Sequence, residues 1–348
     1  MAHNVLITGG SGYLGGTLLA CLDPSALPSH GKIYASVRSN DQALKMASYP
    51  VVPLKLDLDD HTALHDAIVE RAISIIFFLV DSRRSTVQKV MIAALAEVQK
   101  NTGLPVHFLH TTGAKLFSSH VGHPTDRPIL DTDPDLYALQ TTCSGPYPIM
   151  NEALATNSTI IDLAEKHSVK SYIFTPCIVY GAGLGFGNPI SIQTAAIVRA
   201  ARAVRKVYAT EPGNPTWPVC HVLDNTALYI RMLHQMLAGE EMGYGREGYY
   251  LASSGSVAWG DLYGAMAKAL AKRGVVEDGE VGLVDERALE EMGRALGCSK
   301  EFVGVQLSGT CTFTAERGRR IGWVPEFGAE HVLEDAEEEV RRILEALG

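Results

Sequence analysis

Nine consecutive residues near the amino terminus, Thr8-Gly9-Gly10-Ser11-Gly12-Tyr13-Leu14-Gly15-Gly16, imply chemistry most directly by their types and spacing. A glycine at 9 permits a tight turn, one at 12 lets backbone approach a bound group, and one at 15 lets a helix pack close on a strand. Tyr13 and Leu14 open that helix, where free N–H groups and a partial positive charge suit phosphate oxygens. Such a pattern has meaning only between a strand and a helix. Val5, Leu6 and Ile7 supply a run fit for a strand buried on both faces. After the turn, Leu14, Leu18, Leu19 and Leu22 recur at helical spacing until Asp23-Pro24 ends the pattern. Together these parts form a cradle for a dinucleotide pyrophosphate.

The chain beyond the cradle alternates regularly. Strands are expected at Lys32–Arg38, Val51–Leu58, Ser74–Asp81, Val106–Thr112 and Ser171–Tyr180. Helices are expected at Gln42–Tyr49, His61–Ala72, Thr86–Thr102 and about Pro148–His167. This alternation implies right-handed crossovers and an α/β, doubly wound parallel sheet of the Rossmann kind. Gly122 to Ser144 reads as a long loop at the rim of the site. A helix at Ser191–Val207, a strand-like Pro218–Leu223 and a helix at Asn225–Leu237 follow. The segment Gly248–Ala252, with helices near Trp259–Lys272 and Asp285–Leu296, reads as a smaller C-terminal α+β portion. The expected division is a dinucleotide-binding domain over 1–182, with 204–240 returning to it, and a substrate-binding portion over 183–203 and 241–348.

With 348 residues the chain can hold both parts, and its net charge of -9 argues against a nucleic-acid-binding surface. Six cysteines lie scattered without a CxxC pair, which fits a reducing compartment. The first strand begins almost at once, and no apolar run is long enough for a membrane span. A cytoplasmic, enzyme-like protein acting on a small molecule is expected, with no membrane partner and with a homodimer left open.

The sequence resembles the extended short-chain dehydrogenase/reductase superfamily, of the NAD(P)-dependent epimerase/dehydratase type. The residues carrying the resemblance are TGGSGYLGG at Thr8–Gly16, DLDD at Asp57–Asp60, FFLV at Phe77–Val80 and HTTGA at His110–Ala114. They continue with TPCIVYGAG at Thr175–Gly183, HVLDN at His221–Asn225 and IGWVP at Ile321–Pro325. The resemblance implies that Asp57 and Leu58 line an adenine and that Leu79 and Val80 lie along ribose and pyrophosphate. Pro176, Ile178 and Val179 would pass beside the nicotinamide. Arg38 closes the second strand where an enzyme reading a ribose 2′-hydroxyl usually places an acid; a guanidinium there can clamp a 2′-phosphate. Asp41, three residues on, makes the discrimination partial, and NADP(H) is favoured over NAD(H).

The resemblance also implies a catalytic set: a Ser or Thr after the fifth strand, then Tyr-x-x-x-Lys on the next helix. Thr112 matches the first member, with Thr111 beside it. Tyr147 is the best-placed tyrosine, yet Asn151 stands where the lysine belongs, and Tyr137 is followed by Thr141 at the same offset. Asn151 can bond a ribose hydroxyl but cannot stabilise a phenolate. A neutral tyrosine, with its pKa near about 10, can give a proton to an alkoxide but is a poor base. The set therefore favours carbonyl reduction over oxidation or epimerisation. Lys115, just past the threonines, is the alternative source of a positive charge near the site, but a solvent-exposed loop lysine is the expected case. His120 and His123 form an HxxH without a third ligand, so no metal site is expected. Arg199, Arg202, Arg205 and Lys206 fit a solvated helix face better than an anion site, as does the acidic run Glu334–Glu339 with Arg341 and Arg342.

The expected function is an NADP(H)-dependent reductase of a carbonyl or activated double bond. The alternatives are a sugar-nucleotide-type epimerase or dehydratase, and a cofactor-binding sensor or scaffold without catalysis.

Overall fold

A computed structural model describes residues 2–348. Its centre is a seven-stranded, all-parallel sheet. Across the sheet the strands run Tyr249–Ala252, Lys170–Pro176, His107–Thr111, Ile73–Phe78, Asn4–Ile7, Ile33–Val37 and Val52–Lys55. The central strands are apolar on both faces because helices cover both: every residue of Ile73–Phe78 is buried, as are Val5, Leu6 and Ile7. The strand order reverses between Asn4–Ile7 and Ile73–Phe78, so a crevice opens beyond their carboxyl ends, where ligands of such sheets bind. Gly9 and Leu79, which follow those two strands, flank the crevice.

Three findings differ from the sequence reading. The expected strand Ser171–Tyr180 is two strands. Lys170–Pro176 stays in the large sheet, whereas Ile178–Tyr180 pairs in parallel with Thr216–His221 in a three-stranded sheet completed by Gly255–Ala258. Proline lacks the N–H needed to continue a ladder, so the chain changes sheets at Pro176-Cys177. Next, Tyr249–Ala252 is not in the smaller portion; it forms the edge strand of the large sheet beside Lys170–Pro176. Finally, the stretch read as the loop Gly122–Ser144 contains a short strand, Ile129–Leu130, and a helix, Leu136–Thr142. The strand pairs with Phe313–Thr314, and buried Asp131 beside it accepts backbone N–H bonds from Leu251, Glu316 and Arg317. A buried carboxylate with such partners ties distant segments together.

The acidic C-terminal run is also more than a solvated face. Arg341 does bridge exposed Glu338 and Glu345. Glu339, however, is buried, with Val340 and Ile343 on the same inward side of the helix Ala336–Leu347. Its carboxylate accepts bonds from the Thr194 hydroxyl at 2.6 Å, the Gly181 N–H at 3.1 Å and Arg342 at 2.9 Å. Gly181 in turn accepts the Tyr13 hydroxyl at 2.7 Å. The C-terminal helix is thus wired to the start of the glycine-rich helix.

Candidate active site

The glycines have the conformations that a cradle demands. Gly9 has φ +75°, a conformation that other residues adopt only with strain. A Cβ on Gly15 would lie 2.3 Å from the Gly9 carbonyl, so only glycine lets the helix sit this close. The Gly12 N–H closes the turn onto that same carbonyl at 2.9 Å. Gly12 also caps the helix Tyr13–Cys21 without a side chain, which leaves the first-turn amides for a ligand. Thr8 bridges the crevice by accepting the Leu79 N–H at 3.0 Å. These residues fit a dinucleotide pyrophosphate.

At the far end of the second strand, Arg38 is exposed and makes no ion pair among the described residues. Its backbone N–H is held by Gln42 at 2.8 Å, while Ser39 caps the next helix. Asp41 is engaged with Lys45 at 3.1 Å. Asp57 is exposed and turns its carboxylate onto the Asp59 N–H, and Leu58 is half-buried.

A cavity of about 500 Å³ opens from this crevice towards the C-terminal half. Tyr13, Leu14, Leu79, Val80, Thr111, Thr112, Pro176 and Val179 all line it, so eight of the expected positions converge. Ile178 is fully buried behind them and does not reach the cavity. The two threonines differ. Thr111 is bonded to the Tyr229 hydroxyl at 2.8 Å, and Tyr229 stacks on Phe174. Thr112 is anchored by its N–H to the Phe174 carbonyl, but its buried hydroxyl has no partner. A hydroxyl left in that state costs roughly 1–3 kcal/mol until a ligand satisfies it.

Tyr147 and Asn151 are not brought to the cavity. The helix begins at Pro148, so Tyr147 is its extended N-cap residue. Its hydroxyl reaches the Glu301 carbonyl at 3.3 Å, and its ring packs edge-on against Phe302. The Asn151 amide is used twice on Gly145, donating to its carbonyl and accepting from its N–H. The helix residues that do face the cavity are Ile149, Met150 and Ala153. Ile149 and Ala153 stand four apart, the spacing of the expected dyad, and neither is polar.

Lys115, expected in solvent, is half-buried and lines the cavity. Burial pulls its ammonium down to about 8. Arg83 lies at the rim, close to Asp81 at 3.7 Å. Trp217, Phe302 and Val305 also line the cavity; Phe302 and Val305 share one face of the helix Lys300–Leu307, and Trp217 comes from the strand Thr216–His221, which no local pattern in the sequence joins to that helix. His120 Nε2 donates to the Ser308 carbonyl, and His123 packs against Phe117. Arg199, Arg202 and Arg205 face solvent on their helix, and Lys206 pairs with Asp278.

With this geometry in place, comparison with known proteins decides the family. The model of the NAD dependent epimerase/dehydratase family matches residues 5–244. The chain belongs to that family. It is therefore an enzyme of the extended short-chain dehydrogenase/reductase type that uses a nicotinamide dinucleotide. Among solved structures, UDP-glucose 4-epimerase from Thermotoga maritima matches with a TM-score of 0.62 at 12% identity, covering 99% of this chain and 100% of that one. The dTDP-glucose 4,6-dehydratase of Bacillus anthracis in complex with NAD matches with 0.62 at 14%, covering 99% and 97%. A monomeric L-threonine 3-dehydrogenase from a metagenome matches with 0.57 at 15%, covering 97% and 99%. At these identities the likeness is one of fold. No curated protein matches the chain.

Proposed function

We propose that this family member is an NADP(H)-dependent reductase acting on the carbonyl or activated double bond of a small, largely apolar molecule. The observation that carries the reading is Thr112, whose buried hydroxyl has no partner, at a cavity whose wall is mostly apolar (Leu116, Met150, Trp217 and Phe302 among others) and carries Lys115, Asp81 and Arg83 as its charged groups. A substrate oxygen accepting from Thr112 would satisfy the hydroxyl and fix which face of the carbonyl is presented.

Gly9 to Leu14 would hold the pyrophosphate, Leu79 and Val80 the adjoining ribose, Asp57 and Leu58 the adenine, and Pro176, Cys177 and Val179 the nicotinamide side. When bound, the reduced cofactor supplies hydride. Arg38 supports the phosphorylated form: it is free of ion pairs, and the nearby acid Asp41 is occupied by Lys45. The proton is not assigned to Tyr147, because that role would cost it the Glu301 bond and would strip Asn151 of both Gly145 bonds.

One observation favours a second reading, cofactor binding without turnover: Ile149 and Ala153 occupy the cavity-facing positions at dyad spacing. A sugar-nucleotide substrate has less support, since Arg199, Arg202 and Arg205 face solvent and do not line the cavity. The two main readings separate in an assay of NADPH oxidation against a panel of apolar aldehydes, ketones and enones. The reductase reading expects turnover that Thr112→Ala lowers by about 10- to 100-fold while Thr112→Ser largely keeps it. NADPH binding with no turnover on any member contradicts it.

A further inference from the structure

We infer that Lys115 is the proton donor of this site, filling the place left by the absent tyrosine–lysine pair. The inference rests on the reductase reading and extends it to a residue outside the family's catalytic set.

Lys115 stands three residues after Thr112, on a short turn, Ala114–Phe117, that follows the fifth strand of the chain. The turn is held firmly. Ala114, Leu116 and Phe117 are buried, Phe117 stacks on Phe313 at 4.1 Å, and Cys311 bonds the carbonyls of Ala114 and Phe117. Thr112 and Lys115 therefore sit on one rigid segment and line one cavity. A substrate oxygen held by the threonine lies in the same space that the lysine bounds.

The ammonium has no counterion. No carboxylate lies within 4 Å of it among the described residues, and the cavity's acid, Asp81, is beside Arg83. The titratable groups nearest Lys115 are His120 and Cys298. Burial keeps His120 below its ordinary value and raises the Cys298 thiol, so both are neutral at pH 7. Phe302, Val305 and Leu116 line the same cavity. Desolvation with no compensating acid makes this lysine a stronger proton donor than an ordinary one, yet leaves it mostly charged near neutrality.

The step balances. As hydride adds to the carbonyl carbon, the π electrons move to oxygen. The Lys115 ammonium then gives that oxygen its proton, and the neutral amine left behind regains a proton from water. Reduced nicotinamide dinucleotide, the family's cofactor, is the reductant.

The test uses the full chain and three variants, Lys115→Met, Lys115→Arg and Lys115→Gln, each checked for NADPH affinity, which is expected to stay within about threefold. With a carbonyl substrate, wild-type kcat is expected to fall tenfold per pH unit above about pH 8. Lys115→Met and Lys115→Gln are expected to lose at least about 100-fold in kcat and to lose that alkaline limb. Lys115→Arg, which keeps the charge but cannot release its proton, is expected to fall as far. An independent readout is the nuclear magnetic resonance titration of reductively ¹³C-methylated lysines, where one signal should titrate near pH 8 and vanish in Lys115→Met. Turnover within threefold of wild type in Lys115→Met, or a Lys115 signal titrating with the surface lysines, overturns the inference and leaves the reductase reading standing. A wild-type protein that binds NADPH but reduces nothing overturns both.

Discussion

At the residue scale the site is a redistribution of roles. Thr112 lies where the family places its hydroxyl, but the helix that should carry the tyrosine and lysine presents Ile149 and Ala153 to the cavity instead. The cation has moved to Lys115, on the turn that bears the threonine. At the end of the second strand Arg38 is exposed, and the proposed reading has it hold a 2′-phosphate. Replacing it with alanine should weaken NADPH binding about 10-fold or more and leave NADH affinity nearly unchanged, as read by calorimetric titration of both cofactors. Equal losses for the two would show that Arg38 does not read the phosphate. The glycines and Thr112 were legible in the sequence because their constraint is local: a turn, a close approach, a strand end. Tyr147 was misleading because a four-residue offset does not say which helical face meets the cavity. That depends on where the helix begins, and Pro148 sets it one residue after the tyrosine.

At the scale of elements, the alternation of apolar strands and amphipathic helices revealed the sheet and its crossovers with boundaries good to a few residues. Long-range pairing was not legible. Nothing local in Tyr249–Ala252 says that it joins the edge of the large sheet, and in SYIFTPCIVY the proline marks a break in the ladder without saying which sheet each half joins. The C-terminal helix shows the same limit. Its acidic residues look solvated in sequence, but helical rotation brings Glu339 inward with Val340 and Ile343. There it links Thr194, Gly181 and Arg342, and through Gly181 the Tyr13 hydroxyl. Glu339→Ala should leave the Gly181 N–H and the Thr194 hydroxyl without their acceptor, while Arg342 keeps Asp335 and Glu338, and lower stability by about 2 kcal/mol. Urea unfolding checks this, and cofactor affinity should fall with it because Tyr13 loses its support. An unchanged unfolding midpoint would mean that the C-terminal helix does not brace the cradle.

For the whole molecule, buried histidines set the response to acid. Burial holds His107 and His110 down to about 3 and His123 to about 4, so all three stay neutral in the folded protein well below pH 6. The unfolded chain binds those protons near pH 6.5, so the stability they contribute is complete above that value and is lost as pH falls. Asp131 works the other way. Burial pushes it up to about 6, so between about pH 4 and 6 the folded state holds a proton that the unfolded chain releases, a contribution that grows as pH falls. The histidines outnumber it. These groups alone should therefore lower stability by about 3 kcal/mol from pH 6 to pH 5, at about 1.4 kcal/mol per group per unit, and His221, which burial holds down to about 4, adds to the drop. Urea midpoints at pH 7, 6 and 5 measure it, and a flat profile would contradict it. Charge and composition speak only to bulk properties. They could not show that an apolar cavity forms where the first sheet meets Trp217 and the helix bearing Phe302 and Val305, because strand and helix come together only through the folded topology.

The most direct test of the reductase reading follows a label. The wild-type protein is incubated with NADPH deuterated at nicotinamide C4, on each face in turn, and with the apolar carbonyl panel, and the products are read by mass spectrometry. Deuterium should appear on the former carbonyl carbon from one C4 face only, because a nicotinamide held along Pro176 and Val179 would turn one face to the substrate. Cofactor that binds yet leaves every product unlabelled would contradict the account.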